Sequence, residues 1–558
     1  MKKTVVYACI MAAMAMTSLH AHAQARMKLV NIDRPGVGLN DPTPVQSVGG
    51  NPGKTLGQQR LIAYQYAMDI WGALLRSSSE IRVEASFSPL ECAPGRIVLG
   101  QAGTNSRVWA DAIFPDGAYD YTYPIAMADA LAGYELRPGE NHIMSFFSSE
   151  VDQPACQALG ANGWYYGLTG DAGGNTLGRS NFLNVIMHEL AHGLGVEGVA
   201  MLAGSWGLRV QKSPWDEQAW SNIYSMNYNQ FEMSADPRLA EAITADGETV
   251  WKGRQATRTA GLLAEHRRLL ITRSPALQRH DYQTVGFGDQ RLDAILGEIV
   301  LVNDVVGPDG VDMHTGCDGS DGQPAISNAA ALAGKVVLVD RGGCEYGLKA
   351  LNAQRHGAIA VILANNVPTS VLRAGGGTFG RQVNIPVITV TQGVGAALRV
   401  GSPMLVSGFI EDPKRFYGLD SGGYPRLYTP SDYQQGSSFS HIDTDMTPNA
   451  LMEPAINRSL RADVAIDVTL DLLEDMGWPT NRNGTAMLGN CDTTVPVYRD
   501  SFIPGANLVA QNNLCRASSQ GNRSQQMRCM NDHISSLHAQ TLITPLEVAK
   551  ARQCVARI

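Results

Sequence analysis

The sequence predicts an α+β protein with an interrupted core, an inserted β-rich domain and a small helical module near its C-terminal end. Helical periodicity and strand-like alternation occur together before residue 290, which is typical of an α+β core. Residues 291–412 contain short, continuous apolar runs that end in turns, a pattern that indicates buried strands. Residues 481–558 hold four cysteines, which predicts a small module stabilised by disulfides.

Residues 1–25 have the pattern of a secretory signal peptide. Two lysines precede an apolar run over 5–16, and small residues at 21–23 or 23–25 offer a cleavage site. The apolar run is too short to span a bilayer. We therefore expect a secreted protein without a membrane span, either extracellular or, in a Gram-negative source, periplasmic.

The cysteine count agrees with export. Eight cysteines remain after the one in the predicted signal peptide, and an even number in an exported chain predicts four disulfides. Short sequence separation favours Cys92–Cys156 and Cys317–Cys344, with the last four cysteines paired among themselves. Locality alone leaves the connectivity open, since eight cysteines allow roughly a hundred pairings.

The charge pattern argues against one class of partner. The formal net charge is −8, and no stretch forms a basic stripe. We therefore expect no binding to nucleic acid.

The first part of the chain supplies the elements of the predicted core. Residues 56–75 place apolar side chains at three- and four-residue spacing, which predicts a helix. Residues 80–87 and 143–147 are predicted to be strands. The stretch from the signal peptide to about Gly57 is rich in Pro, Gly and Asn, and we expect an irregular arm there.

The most informative sequence is HExxH at 188–192, on a predicted buried helix that starts near Asn181. Residues four apart lie on one face of a helix, so His188 and His192 can reach one metal ion. Glu189 would lie beside that metal and could take a proton from water, as in zinc peptidases. The alternative is a chance match in which both histidines are ordinary core residues.

A catalytic zinc ion prefers at least three protein ligands, so a third residue is needed. The contiguous metzincin pattern, HExxHxxGxxH, would end at position 198, where this chain has a glycine. A downstream carboxylate such as Glu217 is an alternative, but its surroundings do not resemble the second helix that such sites use.

Residues 291–412 resemble the protease-associated (PA) domain. The matching runs are DRGGC at 340–344, AQRHGAIAVILANN at 353–366 and IPVITV at 385–390. The resemblance implies a non-catalytic insert of the kind found in secreted or vesicular peptidases, where it is implicated in substrate access or protein contacts.

The runs GSSFSH at 436–441 and NALMEP at 449–454 resemble the leishmanolysin-like metzincins. In that family an inserted segment separates HExxHxxG from a distal histidine, and a turn with a methionine beneath the zinc follows. The resemblance implies that His441 is the third zinc ligand and Met452 the Met-turn residue. Leishmanolysin itself carries no PA domain in that interval.

Together these features predict a metzincin-like zinc peptidase core in two parts, 26–290 and 413–480, with one Zn²⁺ per chain. The expected function is that of a secreted zinc endopeptidase, which hydrolyses protein or peptide bonds through a zinc-activated water with Glu189 as general base. Protein or peptide substrates are the expected partners, and the sequence does not determine the oligomeric state.

Two other functions stay open. PA domains also accompany aminopeptidases, although their two-zinc sites use scattered Asp, Glu and His ligands rather than HExxH on a helix. A non-catalytic zinc-containing binding protein is the other alternative, against which the intact Glu189 argues.

Overall fold

A computed structural model describes residues 24–558 apart from 94–95, 115, 117–119, 160, 162, 170–178, 274–275, 292–295, 306–312, 368–371, 373, 401–403 and 457–458. The predicted signal peptide lies outside these described residues, except for its last two positions. None of the helices in the described ranges has both the length and the apolar character needed to cross a bilayer.

The first part of the chain forms a four-stranded sheet with two helices packed against it. In chain order the elements are β1 (Arg26–Asn31), α1 (Leu56–Leu74), β2 (Glu80–Ser88), β3 (Gly100–Thr104), β4 (Ile143–Ser148) and α2 (Phe182–Gly193). The strand order is β1-β2-β4-β3, with the first three strands parallel and β3 antiparallel at the edge.

Local sequence explains the two main helices. The Thr55 side chain caps α1 by accepting a hydrogen bond from Gln58 N–H, and Asn181 caps α2 in the same way. The indole of Trp71, fully buried in α1, donates to the Met187 carbonyl in α2 at 3.2 Å. The predicted helix and strands at 56–75, 80–87 and 143–147 are confirmed to within a residue at each end.

The prediction of an irregular arm before Gly57 was wrong in part. Strand β1 lies there and pairs in parallel with β2 from Arg26↔Glu80 to Asn31↔Ala85. The partly buried side chains of Met27 and Leu29 pack against the main core. The strand was missed because it is only six residues long and lies between the predicted signal peptide and a stretch rich in Pro, Gly and Asn.

Smaller elements extend this first part. The additional strands are Cys92–Ala93, Arg96–Ile97, Arg107–Trp109, Thr122–Pro124, Trp164–Tyr165, Ser180–Asn181, Met201–Ala203, Trp206–Arg209, Ala219–Ser221, Met226–Asn227, Ser234–Asp236 and Thr249–Trp251. The additional helices are Ile125–Ala132, Pro154–Ala158, Pro214–Gln218, Pro237–Ile243 and Arg254–Leu263.

The predicted insert contains a mixed sheet with parallel strands at its centre. Its elements are β5 (His266–Arg273), β6 (Gly297–Leu301), β7 (Val336–Asp340), α3 (Tyr346–Arg355), β8 (Ala360–Ala364), β9 (Val387–Val390), α4 (Gln392–Ala397) and β10 (Met404–Phe416). The sheet order is Leu277–Asp281, β5, β10, β6, β7, β8, β9 and Gln283–Thr284. Its strands therefore extend beyond the predicted limits of 291–412 at both ends.

The two predicted parts of the catalytic core share one hydrophobic cluster. It joins Trp71 and Ile186 from the first part to Leu451, Met452 and Trp478 from the second. Helix α5 (Thr469–Asp475) belongs to this second part. The inserted sheet has its own clusters, so the core is continuous across an insertion of more than a hundred residues.

The C-terminal module contains a hairpin and three helices, and the sequence patterns at 524–538 and 545–554 predict two of these helices. The hairpin strands are Thr485–Leu488 and Cys491–Pro496, and the helices are α6 (Pro504–Ser518), α7 (Arg523–Ala539) and α8 (Pro545–Val555). Helix α6 was missed because asparagines and glutamine interrupt its apolar periodicity. The four disulfides are Cys92–Cys156, Cys317–Cys344, Cys491–Cys554 and Cys515–Cys529, in agreement with the pairing expected from locality.

Candidate active site and metal centre

Helix α2 holds the HExxH sequence, and every residue of this helix is buried. The chain reverses just after the helix at Gly195, where φ is +117°, a value that favours glycine. Val196 N–H then donates to the Ala191 carbonyl at 3.0 Å, which closes the helix end. This turn brings the Val196 carbonyl back to Nδ1 of His192, 2.5 Å away.

Three histidine side chains converge at the C-terminal end of α2. The Nε2 atoms of His188 and His192 lie 3.1 Å apart, and Nε2 of His441 lies 3.1 Å from that of His192 and 3.3 Å from that of His188. All three side chains are buried. The structure therefore brings His441 to the HExxH histidines across more than 240 residues of sequence.

Backbone carbonyls orient each ring. The carbonyl oxygens of Leu451, Val196 and Ser437 lie 2.7, 2.5 and 2.8 Å from Nδ1 of His188, His192 and His441, respectively. A carbonyl accepts only, so each Nδ1 carries the proton and each Nε2 directs a lone pair toward the other two.

This arrangement fits a zinc ion. Tetrahedral zinc with Zn–N bonds of about 2.0–2.1 Å places its nitrogen ligands about 3.3 Å apart, close to the separations found here. Burial lowers the pKa of His188 to about 3 and that of His192 to about 4, and it lowers the pKa of His441 well below its usual range. The neutral rings thus present three facing lone pairs, which a cation between them would stabilise.

Glu189 lies on the side of α2 that faces strand β3. If Gly100 carried a Cβ atom, that atom would lie 2.8 Å from Oε1 of Glu189. The absence of a side chain at Gly100 therefore makes room for the Glu189 carboxylate. The backbone N–H of Ala102 donates to the same carboxylate. Burial raises the pKa of Glu189 to about 8, and a nearby cation would favour the ionised form.

Strand β3 is an edge strand of the four-stranded sheet as described, and it pairs with β4 on one side. Ser148 N–H donates to the Leu99 carbonyl at 2.9 Å, and Asn105 N–H donates to the His142 carbonyl at 2.8 Å. Because the bonds of an antiparallel pair alternate, the polar backbone groups of Gly100, Ala102 and Thr104 point to the opposite edge. This outer edge runs past Glu189.

The sequence departs from the contiguous metzincin pattern at Gly198, and the structure gives a steric reason. An ideal Cβ at Gly198 would lie 2.2 Å from the Phe439 ring, so no side chain fits there without a shift. Gly198 N–H also donates to Oγ of Ser440 at 3.1 Å. The glycine therefore allows the segment that bears His441 to approach the turn after α2.

Glu217, the alternative third ligand, lies outside the histidine cluster. Its carboxylate accepts hydrogen bonds from the side-chain amides of Asn227 and Asn229 at 3.1 and 2.9 Å. Among the described residues, His188, His192 and His441 are the side chains that lie close enough together to share one metal ion.

Met452 is fully buried next to the segment that bears His441. Its carbonyl accepts a hydrogen bond from Ile442 N–H at 2.8 Å, while the preceding residue, Leu451, accepts from the ring of His188. The turn at 451–452 thus connects the two segments that supply the histidines, and the Met-turn role of Met452 stays a prediction.

Because Met452 is packed in the core, we expect the loss of stability on substitution to increase with the side-chain volume that is removed. Met452→Leu should cost less than about 1.5 kcal/mol of unfolding free energy, and Met452→Ala about 2–5 kcal/mol. Urea denaturation of the metal-free variants measures both values. Loss of metal binding by Met452→Leu at unchanged stability would contradict a packing role.

No sequence pattern indicates the backbone groups and carboxylates that support the three histidines. Asp216 accepts hydrogen bonds from the N–H groups of Val199 and Ala200 at 3.0 and 3.2 Å and so holds the chain that leaves the site. Asp467 accepts from Leu451 N–H at 2.6 Å. Backbone acceptors leave no trace in a sequence, and these two aspartates have no characteristic spacing from HExxH.

Comparison with known proteins identifies the insert. Residues 295–398 match the family model of the PA domain, which confirms the PA domain predicted within 291–412. A probable lipoprotein aminopeptidase of Mycobacterium tuberculosis is 39% identical over 98 residues, which are 16% of this chain and 19% of that protein.

Two solved structures show partial similarity. A zinc aminopeptidase from Bacillus subtilis is 19% identical, with 29% of this chain and 36% of that chain covered and a TM-score of 0.19. An aminopeptidase from Aneurinibacillus sp. strain AM-1 is 20% identical, with 28% and 37% covered and a TM-score of 0.17. This chain spans about a fifth of the curated relative and little more than a third of each structure. The metzincin assignment of the core stays a prediction.

Proposed function

We propose that this chain is a zinc-dependent peptidase in which His188, His192 and His441 hold one zinc ion and Glu189 acts as general base. The convergence of three neutral imidazoles, each with its lone pair directed at a common point, carries the proposal. The buried carboxylate of Glu189 on the following residue of α2 supplies the base that such a site requires.

Zinc bound at this site would polarise a peptide carbonyl and lower the pKa of water. Glu189 would accept a proton from the water whose oxygen attacks the peptide carbonyl carbon, and it would pass that proton to the amine nitrogen released when the C–N bond breaks. The hydrogen bond from Ala102 N–H holds the carboxylate in place during both transfers. The carbonyl groups bonded to each Nδ1 keep the three rings from rotating.

Peptides are the substrate class that the neighbouring strand favours. The outer edge of β3 presents backbone donors and acceptors next to Glu189. An extended peptide can add to such an edge as a further strand, which places its backbone carbonyls along the site. Binding of an extended peptide in this way is compatible with cleavage within polypeptides, the endopeptidase activity expected from the sequence.

A specific observation favours the aminopeptidase alternative. The curated relative, 39% identical over 98 residues, is named an aminopeptidase. Since the clustered ligands in the described part of the chain are three histidines, such an activity would work with one zinc ion rather than two. We therefore propose two candidate activities for this site, internal cleavage and removal of N-terminal residues. The name of the relative supports the second of them.

Metal removal tests the proposal. We expect about one zinc per chain, loss of peptide hydrolysis when a chelator removes it, and recovery on adding one equivalent of zinc. The melting temperature should also rise with zinc concentration, because a ligand that binds only the folded state stabilises it. Hydrolysis that persists without metal would overturn the proposed function, whereas zinc binding without hydrolysis of any peptide would favour a binding protein.

The products separate the two candidate activities. Mass spectrometry of digested casein and of short peptides would show internal fragments for an endopeptidase and stepwise loss of N-terminal residues for an aminopeptidase.

We also propose that the protein works outside the cytoplasm, since four disulfides persist best in an oxidising compartment.

A further inference from the structure

The inserted sheet meets the catalytic core at the loop that follows His441. The chain enters this sheet at β5, just after Glu265, and leaves it after β10, at Tyr417. Glu265 N–H donates to the Thr447 carbonyl at 2.8 Å, and Tyr417 N–H donates to the Glu265 carbonyl at 3.0 Å. The two points at which the chain crosses between core and insert therefore lie side by side, against the loop that follows the third histidine.

Asp445 joins the insert to the core within this loop. Its carboxylate pairs with the guanidinium of Arg267 in β5. Nη1 of Arg426 lies 3.6 Å from Oδ2 of Asp445, and Gly418 N–H donates to the same oxygen at 3.4 Å. The side chains of Arg267 and Asp445 keep only 12% and 11% of their exposure. Solvent therefore screens this ion pair less than an exposed pair, and it restrains the loop more strongly.

Close packing supports the same contact. Gly418 has a φ of +72°, and a Cβ atom at this position would lie 2.6 Å from Cα of Met446. Met446 is itself buried in the main core. The guanidinium of Arg267 lies 5.0 Å from the centre of the Tyr417 ring. The base of the insert thus touches the loop through its backbone as well as through charge.

Hydrogen bonds connect this loop to the metal site. Asp445 N–H donates to Oδ1 of Asp443 at 2.8 Å. Asp443 N–H donates to the Arg426 carbonyl at 3.0 Å, and Tyr428 N–H donates to the His441 carbonyl at 2.8 Å. A change in the position of Asp445 would therefore reach, through Asp443, the backbone that carries the His441 ring.

We propose that the insert that contains the PA domain positions the third histidine of the metal site, with Asp445 and Arg267 as the positioning residues. This inference rests on the proposed function, because it takes His441 as a zinc ligand. It gives the insert a role in metal binding besides the substrate access or protein contacts that its family resemblance implies. Since such coupling is reciprocal, bound zinc would also stabilise the contact between the insert and the loop.

The zinc affinity of the full chain tests this role. We expect Asp445→Asn and Arg267→Gln each to weaken zinc binding by about 10- to 100-fold, the usual effect of removing a group that orients a metal ligand. The double variant should bind zinc no more weakly than either single variant, because the two side chains act as one pair. Competition with a chelator of known affinity measures all three variants.

Thermal stability separates positioning from a purely structural tie. Each single variant leaves a buried charge without its partner, so its melting temperature without metal should fall, and the double variant should recover part of that loss. If the pair were only a structural tie, zinc affinity would recover together with the melting temperature. If the pair positions His441, zinc affinity stays low in the double variant. The visible absorption of bound Co²⁺, which depends on coordination geometry, should also stay altered there.

Asp281→Asn is the matched control, because the pair of Asp281 with Arg415 joins two strands within the inserted sheet and both side chains are about half exposed. This control should keep the zinc affinity of wild type. If a single variant fails to fold, the double variant carries the comparison.

Three results would overturn the positioning role alone: unchanged zinc affinity in the variants of the pair, recovery of that affinity in the double variant, or an equal fall in Asp281→Asn. Each would leave the proposed function standing. A folded wild-type protein that binds no zinc would overturn the proposed function and this inference with it.

Discussion

Replacing Glu189 with glutamine is expected to lower kcat by about 10²- to 10⁴-fold, the usual contribution of a general base. Glutamine keeps the shape of the side chain and can still accept the hydrogen bond from Ala102 N–H, but it cannot take a proton from water. Zinc content should stay near one per chain, because the three histidines are untouched. Steady-state kinetics and metal analysis of the purified variant measure the two effects.

Glu140→Gln provides the control for this variant, since it removes a carboxylate that bonds to Asn105 and Arg137 and not to the site. Full activity in Glu189→Gln would show that another group acts as base. Loss of zinc together with activity would show that Glu189 contributes to the metal site, contrary to the proposed division of roles.

The His441→Ala variant should lose both zinc and activity. Mutation of a group that only hydrogen-bonds to a metal ligand typically lowers metal affinity by about 10- to 100-fold. Removal of one of the three ligands themselves should therefore weaken zinc binding by more than about 100-fold. Competition with a zinc chelator of known affinity measures this change. Hydrolysis should fall in parallel, since the proposed chemistry depends on the metal.

Two controls accompany His441→Ala. His538→Ala removes an exposed histidine of the C-terminal module, and Glu217→Gln removes the alternative ligand that the sequence left open. Both should keep zinc and activity. If His441→Ala kept its zinc while Glu217→Gln lost it, the third ligand would be the carboxylate and the leishmanolysin-like assignment would fall.

Sequence patterns predicted the parts of this protein that depend on local geometry. The spacing of His188 and His192 places both on one face of α2 whatever the rest of the chain does, because it follows from the helical repeat. The PA domain was recognisable because the runs at 340–344, 353–366 and 385–390 resemble that family. Disulfide pairing by locality succeeded because each bridge closes within one part of the chain.

Other features could not be derived in this way. Strand β1 is only six residues long and pairs with a strand about fifty residues later, so nothing next to it in the sequence indicates this pairing. The contact between Asp216 and Val199 depends on how the chain folds back after α2. Neither residue has a spacing that singles it out.

The sequence by itself therefore determined two of the three clustered histidines, the carboxylate next to them in the chain and the presence of an inserted domain, since these depend on patterns within short stretches of sequence. Tertiary structure alone decided where His441 lies, which carbonyls orient the three rings and which edge of the sheet borders Glu189. The physical reason is that these contacts join segments separated by an entire domain. They form only because both parts of the chain bury their apolar side chains in one continuous core.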